Sequence, residues 1–142
     1  MNEQKRTTPL LWPPVLAALV TSFSVIFAVV TYTRGVHEQR QAAAIGILQE
    51  YLKLSVDHPD LASRDSSEPV DAKYGWFATH ALFTAETLWT LVGSDDKWQN
   101  TITFVLRQHR GYLEAGVLSC DAFQAEFVEY MKARIPELKC DR

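Results

Sequence analysis

A chain of 142 residues with a net charge of -3 and 22% charged side chains has room for one modest domain beside a membrane span. From Arg34 onward 12 basic side chains stand against 16 acidic ones, a net charge of -4, which leaves no basic surface for nucleic acid. Its two cysteines form no CxxC, and no nearby pair of histidines completes a zinc site with them.

A polar tail, residues 1–9, precedes LLWPPVLAALVTSFSVIFAVVTY, which runs from Leu10 to Tyr32 without an acidic or basic side chain. Its twelve Leu, Val, Ile and Phe residues contribute on the order of 5 kcal/mol of insertion free energy. Trp12 and Tyr32 are twenty positions apart, about 30 Å of helix, so each is expected at one interface of a bilayer. A transmembrane helix over 10–33 follows, with Pro13 and Pro14 in its first turn, where no amide acceptor is lost. A cleaved signal peptide is the competing reading, since Lys5 and Arg6 precede the run. The apolar stretch is too long for one, and no small-x-small site follows promptly. Lys5 and Arg6 on the short side are matched by Arg34 and Arg40 on the long side, so the charge rule is nearly tied. The expectation adopted is a cytoplasmic domain with Cys120 and Cys140 as thiols; an oxidising compartment would permit one disulfide between them. No cluster of basic residues beside the span marks a lipid-binding patch.

Small or hydroxylated residues recur within the span at Ala17, Thr21, Ser24, Ala28 and Thr31 and continue to Gly35, in alternating steps of four and three. That spacing suits a packing seam against a second copy or another protein's span. It also suits ordinary lipid-facing sequence, in which Ala, Ser and Thr are common.

Beyond the span, residues 34–142 are expected to form a soluble all-α domain, a compact bundle of about four helices. In Gln41 to Val56 the residues Ala44, Ile45, Leu48, Tyr51, Leu52 and Val56 recur at helical spacing, so the anchor helix can continue into the domain, with a bend near Gly35. Residues 57–72 carry two prolines, three serines and five acidic side chains and read as a loop. Lys73 to Val92 is the most apolar soluble segment and reads as the central helix, stopped by Gly93. Lys73, His80 and Glu86 make it a costly second span. Ser94 or Asp95 starts the next helix, which buries Trp98, Ile102, Val105, Leu106, His109, Tyr112 and Leu113 and ends before Gly116. Asp121 and Gln124 have capping-box spacing for a last helix that buries Phe123, Phe127, Tyr130 and Met131, before Pro136.

Candidate chemistry is sparse. If the two middle helices pack antiparallel, His80 and His109 could approach each other with Glu86 or Glu50 nearby, and imidazole with carboxylate would suit zinc or iron. No HExxH and no di-iron ExxH pair supports this, and hydrogen-bonded core or boundary histidines are the plainer reading. Ser119 and Cys120 stand before a helix start but lack the surroundings of a nucleophile. Trp76, Trp89 and Trp98 are expected in the core. No cofactor is expected.

The stretches YLKLSVDHPDLASR, YGWFATHALFTAETLW and DDKWQNTITFVLRQHRGYL hold an HPxL turn (His58, Pro59, Leu61) and a YxWF helix (Tyr74, Trp76, Phe77) with a following ExxW (Glu86, Trp89). They also hold a WxxxI helix beginning at Trp98 and leading to HxxYL (His109, Tyr112, Leu113). With the hydrophobic N-terminus, this pattern resembles a set of uncharacterised bacterial single-pass membrane-anchored helical proteins, over about residues 40–115. The resemblance implies a place in a bacterial inner membrane and no activity. The expected role is therefore a membrane-anchored interaction or scaffold protein, with the lipid bilayer and either a protein or a second copy as partners. The alternatives are a small tethered metal sensor or enzyme on His80, Glu86 and His109, and an accessory subunit of a membrane complex.

Overall fold

The computed structural model describes residues 12–62, 64 and 68–141, with the first three traced by backbone alone. The polar tail and the indole of Trp12, expected at an interface, lie outside the described part. Among the described residues there are six α-helices, a 3-10 turn and no strand, in line with the expected all-α class. The chain divides into two compact units between Gln39 and Arg40, a few residues beyond the expected boundary at 33/34.

Helix α1 runs from Trp12 to Asp57. Its most apolar eighteen residues have a mean hydropathy of 2.2, and none of them is buried, so by length and composition it can cross a membrane. The hydroxyls of Thr21, Ser22, Ser24 and Thr31 each donate to the carbonyl four residues earlier, at 2.8–2.9 Å. Each of these hydroxyls thus has its acceptor within the helix, as a hydrocarbon surrounding requires. The helix is continuous through Gly35, as expected of an anchor that runs on into the domain.

The second unit begins within α1, whose Ala44 and Tyr51 are buried with Leu48 and Leu54 beside them. The expected loop over 57–72 contains a short helix, α2 (Pro59–Ala62), that buries Leu61 and Ala62. Pro59 opens α2 where no N–H is required, and the His58 carbonyl accepts from the amides of Leu61 and Ala62.

Helix α3 (Ala72–Val92) is the centre of the unit and buries nine side chains, from Tyr74 to Val92. Its N-cap is Asp71, whose Oδ1 accepts from the Tyr74 amide at 2.8 Å and whose Oδ2 accepts from Arg64 Nη1 at 2.7 Å. The Tyr74 amide, seconded by the Arg64 guanidinium, holds the Asp71 carboxyl below the usual carboxylate range. At the other end a methyl group on Gly93 would collide with the Trp89 carbonyl, so this stop depends on glycine.

Asp95, one of the two expected caps, begins α4 (Asp96–Gln108) by accepting from the Lys97 amide at 2.9 Å. The single helix expected to continue beyond it is interrupted at His109. A separate α5 (Arg110–Glu114) follows, and Gly116 leaves it with φ of +74°, the left-handed turn that glycine permits. After a 3-10 turn (Cys120–Ala122), α6 (Ala125–Arg134) packs Phe127 and Met131 into the core.

Its start differs from the expected capping box. Asp121 lies in the 3-10 turn, Gln124 makes no side-chain cap, and Glu86 Oε1 on α3 accepts from the Gln124 amide at 2.6 Å. A carboxylate distant in sequence thus does the work of the local cap. Leu82, Leu88, Ile102, Leu106 and Phe127 are fully buried, each contributing roughly 1.5–3 kcal/mol by removal from water.

Candidate functional site

The three candidate metal ligands are not brought together. His80 is exposed and lines a shallow hollow with Ile47, Glu50, Phe83, Thr84 and Thr87. Glu86 is engaged by the Gln124 amide. His109 is 0% exposed and held between two tyrosines. Among the described residues no group of three His, Cys, Asp or Glu side chains could hold a metal ion.

The geometry around His109 accounts for the break between α4 and α5. Its Nε2 lies 3.1 Å from the Tyr51 hydroxyl of α1, and its Nδ1 lies 3.4 Å from the Tyr74 hydroxyl of α3. Phe77 stands 5.7 Å away, centroid to centroid. A neutral imidazole has one donor and one acceptor nitrogen, and a phenol can fill either role. The ring is therefore satisfied on both sides without an ion, and no buried side-chain nitrogen or oxygen among the described residues lacks a partner.

Burial lowers the His109 pKa to about 4 and raises those of Tyr51 and Tyr74, because each charged form would lose its hydration. Closed off from solvent and neutral at pH 7, His109 has no route to an external substrate. It ties three helices together.

A row of aromatic contacts leads from this cluster to the surface. The Tyr74 ring meets Tyr112 edge-on at 6.3 Å, and the Tyr112 hydroxyl lies 3.0 Å from Thr79 Oγ1. Tyr112 and Thr79 line a groove of about 320 Å³ whose other walls include Trp76, Val117, Leu118 and Phe123. Trp76 is 77% exposed, which corrects its expected place in the core. Trp89 and Trp98 do pack against the core, Trp89 with its ring 5.8 Å from that of Phe127. Trp76 adjoins the buried face of Tyr74, Phe77 and Ala81, and a helical step of about 100° is enough to cross the edge of that stripe. Its only signal was its place one residue off that stripe.

Along the first unit, Ala17, Thr21, Ser24, Ala28 and Thr31 are exposed and Gly35 partly so; Tyr32 is exposed as well. The seam hydroxyls of Thr21, Ser24 and Thr31 already donate within the helix, so across any contact made there they are left to act as acceptors.

No family model, curated protein or solved structure matches this chain. Ser119 is exposed, and Cys120 is bonded to Cys140 as a disulfide, so the thiol considered as a nucleophile is not free.

Proposed function

We propose that the chain is a single-pass membrane-anchored interaction protein whose helical domain presents the groove beside Trp76 to a protein partner. The observation that carries this reading is the indole itself. A large aromatic ring left in water beside apolar groove walls resembles the aromatic anchor that dominates binding energy at protein interfaces. The hydroxyls of Thr79 and Tyr112 supply polar contacts at the groove's floor.

We also place the domain on the oxidising side of the membrane, the reverse of the cytoplasmic expectation. The Cys120–Cys140 disulfide supports this, since such bonds persist outside the reducing cytoplasm and the charge rule was nearly tied. In intact cells, with outer barriers permeabilised, an impermeant maleimide should label the cysteines only after an impermeant reductant is added. Labelling that needs lysis but no reductant would reverse the orientation again.

The interaction itself is tested with a photoreactive amino acid in place of Trp76 and, separately, of Phe104, which is also exposed at 56% but lies outside the groove. A discrete adduct is expected from position 76 and not from position 104. Equal capture at both positions, or none at either, would remove the groove from the account.

A further inference from the structure

Three of the six arginines from Arg40 onward line one hollow: Arg107 in the last turn of α4, Arg110 at the start of α5 and Arg134 at the end of α6. Its volume is about 510 Å³, and Ile135, Pro136 and Glu137 complete the wall.

Arg134 is fixed in place. Its guanidinium stacks 3.5 Å from the centroid of the Tyr130 ring. Its Nε donates to Thr103 Oγ1 at 3.2 Å, Nη1 to the Tyr130 carbonyl at 3.4 Å and Nη2 to Gln99 Oε1 at 3.0 Å. All these partners are neutral, and no described carboxylate pairs with it. The Arg107 guanidinium has no ion pair with any described residue. Arg110 is paired with Glu114 and, through Nη2, with Glu137 Oε1 at 3.0 Å.

Two effects account for part of this arrangement. The carbonyl ends of α4 and α6 each carry about half a negative charge, which favours Arg107 and Arg134 there. Glu114 and Glu137 balance Arg110. Neither supplies the full counter-charge of a positioned guanidinium, and Glu137 is half in water, free to turn outward. With it turned away the hollow keeps an excess of positive charge and donors on three helices. Three arginines lining one hollow suit a tetrahedral oxyanion better than a planar carboxylate, which one fork can satisfy.

We propose that this hollow binds a phosphate group, with Glu137 as the chain's own competitor for the arginines. The phosphate belongs either to a soluble phosphomonoester or to a phospholipid headgroup. This inference stands independently of the groove at Trp76.

The test titrates inorganic phosphate into the full chain in neutral detergent at constant ionic strength, with chloride as the balancing salt, by calorimetry. Saturable binding is expected, weakened about tenfold or more in Arg107→Gln, since a charge-assisted contact is lost. Glu137→Gln should tighten it several-fold. Arg107 makes no ion pair with any described residue, so its variant tests the site without disturbing the Arg134 contacts.

Absence of saturable binding, or identical binding by the wild type and both variants, overturns the proposal. The source follows from repeating the titration in nanodiscs of phosphatidylcholine alone and of phosphatidylcholine with one-fifth phosphatidic acid. Phosphate binding abolished only by phosphatidic acid assigns a lipid headgroup, and binding unchanged assigns a soluble ligand.

Discussion

Replacing His109 with alanine should destabilise the helical domain by about 3–5 kcal/mol, because it opens a core cavity and strands the hydroxyls of Tyr51 and Tyr74 together. Against the roughly 5–15 kcal/mol typical of a whole domain, that is a substantial share of the total stability. Urea unfolding of the full chain in neutral detergent, followed by near-ultraviolet dichroism, reads the change. His109→Gln, which keeps a donor and an acceptor, should recover part of it.

The same residue sets an acid limit on the fold. In the folded chain its pKa is lowered to about 4 from the ordinary 6.5 by burial. The unfolded chain therefore takes up a proton first as pH falls. The contribution of His109 is whole above pH 6.5 and shrinks through the window down to about 4, by on the order of 3 kcal/mol.

Protonation would also make both ring nitrogens donors, so that whichever phenol had donated to the imidazole must turn its proton elsewhere. The Arg64 guanidinium lies 5.0 Å from the Tyr74 ring centroid and does not favour a second cation in this cluster. Wild-type stability should fall across that window, with a smaller fall in His109→Gln. Matching pH profiles for the two proteins would show that His109 does not set the limit.

Opening the Cys120–Cys140 bond is expected to cost about 3 kcal/mol, since it closes a loop of twenty residues in the unfolded chain. Folded, the closed loop contains all of α6. The C-terminal strap is also held by the Lys139 amide on the Leu113 carbonyl at 3.0 Å and by the Asp141 amide on the Leu118 carbonyl at 2.7 Å. Reduction should leave helix content nearly unchanged while lowering the unfolding midpoint, because Phe127 and Met131 remain core residues and the hydrogen bonds of Gln124 to Glu86 and of Arg134 to Thr103 and Gln99 still hold α6. A Cys120→Ala, Cys140→Ala double variant should melt like the reduced wild type and ignore reductant. If reductant shifts the variant as much as the wild type, the loss has some other source.

Much of the architecture was legible because helices announce themselves locally. The apolar run of α1 and the stripe from Tyr74 to Val92 follow directly from residue order, as does the start at Asp95, whose acceptor lies within three residues of its donor. The candidate site was less readable, and particular residues show why. His109 fits the helical stripe of α4, yet it breaks the helix to meet tyrosines 58 and 35 positions away. The expected box of Asp121 and Gln124 has the right spacing, but Glu86 reaches the Gln124 amide from 38 positions back. Trp76 was expected inside and stands outside, because a broad apolar stripe does not mark its own edge.

The sequence by itself determined an apolar helix able to span a bilayer and a helical domain after it, since hydropathy and 3.6-residue periodicity are properties of neighbours along the chain. Only the tertiary structure decided that His109 binds two tyrosines rather than His80, that Cys120 meets Cys140, and that three arginines share one hollow. Those facts depend on distances between segments remote in sequence, and such distances are set by how the helices pack.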